Sequence, residues 1–168
     1  DPRGDGGTFQ NALIEIRDMS ANAEPEFDPA EFILAAGDID PIESRYADYK
    51  EIFKDSVSME SFFPVRGNHD VYDEINPEFM IDTLLPEQKN SVRRDEMYAN
   101  YTIQWKNVYV IVVDAYSDLG TDGCINNDGL LWVENIIETA PETIDHIFIS
   151  FHEPAFPRYR HLDDSFNA

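Results

Sequence analysis

Phe63-Pro64-Val65-Arg66-Gly67-Asn68-His69-Asp70 decides how this chain is read. An apolar run stops at a glycine, and the next three side chains are an amide, an imidazole and a carboxylate. A strand that ends this way delivers metal-ligating or proton-carrying groups to one edge of a sheet. Two other stretches end alike: residues 32–36 run into Gly37-Asp38, and residues 144–151 run into His152. In layered α/β architectures ligands bind outside the carboxyl ends of strands. Three such endings can share one cation site.

Working outward, the chain alternates its elements. Thr8 caps a predicted helix over 9–19, with Ala12, Leu13, Ile16 and Met19 at helical spacing. Residues 32–36 read as a buried strand. Pro41 opens a helix over 41–54 in which Tyr46, Tyr49 and Phe53 share one stripe. A strand over 62–66 leads into the quoted motif, and a helix over 77–85 is stopped by Pro86. Residues 98–105 alternate like a half-buried strand, Lys106-Asn107 makes a tight turn, and residues 108–113 read as a strongly buried strand. A polar loop over 114–129, a helix over 130–137 and a last strand over 144–151 follow. This order predicts a layered α/β fold with helices on the sheet faces. No repeat or linker divides it, so residues 1–168 read as one domain.

Thirty-four acidic residues against twelve basic ones give a formal charge of −22. Such a surface repels nucleic acid and anionic lipid, so no nucleic-acid partner is expected. No apolar run is long enough for membrane insertion. A 42% hydrophobic content with 11 Phe, 8 Tyr and 2 Trp supplies a packed core, so the acidity does not signal disorder. Only four of the twelve bases are lysine and Asp outnumbers Glu. That balance suits a secreted or periplasmic setting, and equally an ordinary acidic surface. The single cysteine, Cys124, excludes an internal disulfide and a cysteine-rich zinc site. Because the chain opens at Asp1-Pro2-Arg3, it is expected to be a piece of a longer protein, cut at both ends.

The motif residues carry distinct chemistry. The Asn68 amide oxygen is a neutral ligand for a hard or borderline cation. His69 is placed to donate a proton beside the metal, and Asp70 is expected to hold that imidazole and keep it protonated. Taken alone, Gly67-Asn68-His69-Asp70 also suits a turn, and Gly37-Asp38 a turn or cap. Their recurrence at strand ends, together with His152, favours a site. Asp114 reads as a loop-starting turn residue, His146 as structural, and His161 as an exposed loop residue. Arg158 and Arg160 attract phosphate without forming a patch. Residues 118–123 partly imitate a calcium loop but lack its acidic third position and closing Glu.

With these motifs in this order, the chain resembles the calcineurin-like metallophosphoesterases, a superfamily that includes purple acid phosphatases and many phosphodiesterases. The resemblance runs from Asp1 to His161. It implies a four-layered α/β/β/α sandwich, incomplete in this chain, holding two divalent or trivalent metal ions roughly 3.5–4 Å apart. The mixed oxygen and nitrogen ligands suit Mn, Fe or Zn. On this resemblance Asp38 is the bridging carboxylate, Asp1 a ligand of the first metal, and Asn68 and His152 ligands of the second. His69 is the catalytic proton donor, with Asp70 as its partner. Arg3 stands where the family commonly has a ligating imidazole; it has no lone pair to give, so it is assigned to the substrate phosphate, with Asp5 as a fallback ligand. The family's closing Gly-His-x-His does not occur up to Ala168. The implied activity is hydrolysis of a small phosphomonoester or phosphodiester by a metal-bridging hydroxide, His69 protonating the leaving oxygen. The alternative is a non-catalytic metal- or phosphate-binding domain that kept the fold.

Overall fold

The computed structural model describes residues 6–22, 30–55, 61–71, 75–87, 91–93, 99–116 and 123–153. Its first sheet pairs β1 (Phe32–Ala35) with β2 (Ser61–Pro64) in parallel, Phe32 opposite Ser61 and Ala35 opposite Pro64. Parallel neighbours need a crossover, and α2 (Ile42–Phe53) supplies it. Side chains alternate across a strand, so consecutive phenylalanines serve two interfaces. Phe62 meets Tyr49 and Tyr46 of α2 at ring separations of 5.0 and 6.1 Å. Phe63 instead meets Phe32 at 5.5 Å and Tyr101 of the second sheet at 6.3 Å. Helix α1 (Gly6–Ala21) packs beside α2, burying Phe9 and Leu13, with the Arg45 guanidinium over the Phe9 ring.

The second sheet runs in the order β3 (Ser91–Arg93), β4 (Tyr101–Trp105), β5 (Val108–Val112), β6 (His146–Ser150). The first three strands pair antiparallel, and β6 lies parallel to β5. Tyr101, Ile103, Val110 and Val112 share a core with Phe62 and Phe63. Ile111 and Val113 turn the other way, onto Trp132, Val133 and Ile136 of α5 (Asn127–Glu138). The Asn126 side chain caps α5 by accepting from the Gly129 amide. The layers are therefore helix, sheet, sheet, helix, and the fold is mixed α/β.

Two local readings change. Strand β3 was not expected. Pro86 does not stop its helix: α3 (Ile75–Phe79) widens into a π turn (Met80–Leu84) and continues as α4 (Leu85–Glu87). In that turn the Leu85 amide reaches the Met80 carbonyl, and the wider winding accommodates a ring that would clash in a regular turn. The last strand, β6, lies within the expected range and leaves Ile147, Phe148 and Ile149 38%, 57% and 45% exposed. It lies at the sheet's edge, with neither face covered by the described residues.

Candidate functional site

β1, β2 and β6 bring their carboxyl ends to one edge. Past β1 the chain turns through Gly37 (φ 96°) and Asp38 (φ 55°), a left-handed pair that turns the Asp38 carboxylate toward the loop after β2. That loop winds a 3-10 turn (Asn68–Val71). The His69 main-chain amide donates to Asp38 Oδ1 at 3.1 Å. From the second sheet, His152 Nε2 comes within 3.6 Å of the same oxygen. Its Nδ1 lies 2.7 Å from the Ala36 carbonyl oxygen. A carbonyl only accepts, so Nδ1 carries the proton, and in the neutral ring the Nε2 lone pair faces Asp38. Asn68 and His69 are both half-buried beside them.

Two glycines let the three segments approach. A Cβ on Gly37 would stand 2.3 Å from His152 Nδ1; one on Gly67 would stand 2.6 Å from both the Asp38 amide nitrogen and Oδ1. Either methyl group would fill the space where the site's polar atoms meet.

Asp70 does something other than expected. Its carboxylate partners are main-chain amides rather than the His69 ring: Oδ2 accepts from Gly67 at 2.8 Å and Asp38 at 3.0 Å, and Oδ1 accepts from Ile39 at 2.9 Å. Asp70 therefore ties the Gly37-Asp38 turn to the Gly67-Asn68 turn. The 3-10 winding directs the side chains of residues 69 and 70 apart, so one of the pair faces inward and the other does not. Asp70 is fully buried, and this burial pushes its pKa up to about 6; the Gly67 amide opposes the rise and the Asp38 charge adds to it.

A raised carboxyl pKa means that the folded state holds its proton more tightly than the unfolded chain does. The corresponding stability is complete below about pH 4 and lost as pH rises through about 6, in total about 3 kcal/mol. In chelator, the unfolding midpoint should therefore fall more steeply over that range for the wild type than for Asp70→Asn. Equal slopes would refute the assignment.

Two further polar contacts lie behind the site, and neither was read from sequence. Arg66 Nη1 pairs with Asp114 Oδ2 at 2.8 Å, both side chains being buried. Asp114 also accepts from the amides of Tyr116 (2.9 Å) and Ala99 (3.3 Å), so it is more than the expected turn residue. Tyr116 Oη in turn donates to Glu153, the neighbour of His152. The available signal was a charge of opposite sign closing each of two buried strands. His146 is exposed at the start of β6, away from this edge. Asp1, Arg3, Asp5, Arg158, Arg160 and His161 lie outside the described residues, as does the 118–122 part of the calcium-like loop.

Among the described residues no three or more His, Cys, Asp or Glu side chains gather as a metal-binding group. The donor chemistry nevertheless fits a cation. Asp38 and His152 are separated as two donors about 2.1 Å from a shared ion can be. The His152 ring is held at its far nitrogen by a backbone carbonyl, the arrangement that fixes a ligating imidazole. Asn68 stands half-buried on the adjoining 3-10 turn.

Among the described residues no helix is long and apolar enough to cross a membrane. No curated protein matches the chain. A family profile described as calcineurin-like phosphoesterase matches residues 8–168. That match takes in both sheets and every described member of the site, so the chain belongs to the calcineurin-like phosphoesterase family, whose members bind divalent metals and are in general hydrolytic.

Proposed function

We propose that this chain hydrolyses a small phosphomonoester or phosphodiester, with Asp1, Asp38, Asn68 and His152 as ligands to two divalent or trivalent metal ions and Arg3 on the substrate phosphate. The observation that carries this reading is the approach of His152 Nε2 to the Asp38 carboxylate, 3.6 Å across two separate sheets, with Nδ1 held by the Ala36 carbonyl. When bound, divalent ions supply charge neutralisation on phosphate and activation of water. The chain's own residues do the rest. Asp38 is aimed by the His69 amide, and His152 by the Ala36 carbonyl. The His69 ring, carried on the same turn as Asn68, donates the proton that the leaving oxygen takes up. Asp70 stands behind and fixes both turns. The oxygen and nitrogen donors suit Mn, Fe or Zn. A charge of −22 opposes docking of a polyanion, which favours a small substrate.

The test is Mn-stimulated hydrolysis of a chromogenic monoester and diester. His69→Ala should lower kcat by about 10²–10⁴-fold while Mn(II) affinity stays within about 2-fold. Asp38→Ala should lose both. Tight metal binding with no turnover of either ester would reject the hydrolytic reading and make the chain a binding domain.

A further inference from the structure

The halves of the site stand on different sheets, joined at this edge by polar side chains. Asp38, Asn68 and His69 follow β1 and β2; His152 follows β6. Val65 is still pinned to the first sheet, its amide 2.7 Å from the Ala35 carbonyl oxygen, so Arg66 departs from a fixed point. Val113 is likewise pinned to the end of β6, its amide 2.9 Å from the Ser150 carbonyl oxygen, so Asp114 departs from another. The Arg66–Asp114 pair spans the gap with side chains 1% and 0% exposed. From Asp114 the contacts pass to Tyr116, then to Glu153 and its neighbour His152. They return through Ala36 and Asp38 to the turn that follows Arg66. The result is a closed ring of contacts that includes both candidate ligands, Asp38 and His152.

We infer that Arg66 and Asp114 are a positioning pair that holds His152 against Asp38 and Asn68 and so sets the site's affinity for cations. This inference rests on the metal-centre reading above and deepens it. Stability alone is a poor reason for the pair. Burying two charges is costly, and Arg66 leaves Nε and Nη2 without a partner among the described residues. An apolar pair of similar volume would hold the sheets together as well. What the ion pair adds is a fixed length and direction between two strand ends.

The test uses the 168-residue chain and three variants. Arg66→Met/Asp114→Asn removes both charges and keeps an oxygen for the Tyr116 amide. Arg66→Lys keeps one cationic donor. Tyr101→Phe is the control, because it breaks a different cross-sheet bond, from Tyr101 Oη to the Pro64 carbonyl (2.7 Å), outside the ring. Two readouts need no turnover: Mn(II) affinity by calorimetry, and the His152 ring-nitrogen NMR spectrum of metal-free protein at about pH 9, where an imidazole is ordinarily neutral. The double variant should lose the Nδ1–H tautomer and bind Mn(II) about 10–100-fold more weakly. Arg66→Lys should fall between it and the wild type, about 3–10-fold down. Tyr101→Phe should keep both properties.

A double variant that retains the tautomer and binds within about 2-fold of wild type would overturn the inference. So would a Tyr101→Phe variant that changes as much. If the double variant does not fold, Arg66→Lys decides alone, and wild-type behaviour in both readouts overturns it. A wild type that binds Mn(II) without turnover would defeat only the hydrolytic reading. If the wild type does not bind Mn(II), the tautomer comparison still decides the role of the pair.

Discussion

Gly67→Ala should abolish cation binding and turnover together, although it removes no ligand. The added Cβ would meet the Asp38 amide nitrogen and Oδ1 at 2.6 Å and His152 Cε1 at 3.0 Å. One of these contacts is backbone, held by Asp70, so no side-chain rotation relieves the clash. Overpacking alone costs about 1–3 kcal/mol, and displacing two donors should weaken Mn(II) binding by about 100-fold or more. Gly129→Ala is the comparison. Its Cβ would meet only the Ile125 and Asn126 side chains, at 3.1 and 3.4 Å, and it lies in a helix. There the change should stay within about 1 kcal/mol. Calorimetric titration and thermal unfolding of both variants settle the point. Wild-type Mn(II) affinity in Gly67→Ala would contradict the geometry.

Asp70→Ala should be the most destabilising single change at this edge. It leaves three amides, those of Asp38, Ile39 and Gly67, without acceptors in a buried setting. Each such orphan costs about 1–3 kcal/mol. Partial relaxation reduces the sum, so about 4 kcal/mol is the expected loss, at the upper end for one substitution. Asp70→Asn keeps one acceptor oxygen and should lose about half as much. Denaturant unfolding measures both. A loss under about 1 kcal/mol for Asp70→Ala would mean that the two turns hold their shape without the carboxylate. Activity should fall with stability here, because this carboxylate supports the turns that carry Asp38 and Asn68.

Much of the architecture is legible along the chain because it depends on local rules. Apolar runs of strand length, closed by Gly37-Asp38, Gly67-Asn68 and His152, mark where β1, β2 and β6 stop. The Tyr46, Tyr49, Phe53 stripe marks the buried face of α2. What was not legible depends on the directions that side chains take in space. Whether Asp70 turns toward His69 or toward three amides follows from a 3-10 winding that adjacent letters do not specify. Arg66 and Asp114 are 48 residues apart, and they meet only because two sheets stack. Pro86 reads as a stop because the interior of a regular helix cannot carry it, yet here it follows a π turn and the described helix runs one residue past it. The exposure of β6 was not legible either, because nothing in its five residues says which neighbour covers them.

That last strand has a consequence for handling the molecule. Ile147, Phe148 and Ile149 are part-exposed apolar side chains on a strand that, among the described residues, has no partner on its outer side, a template on which another copy can add a strand. Against it stands the charge of −22, which keeps copies apart. Colloidal behaviour is thus a contest between a sticky rim and mutual repulsion, and the repulsion fades in brine or as acidity approaches the isoelectric point near 4.2.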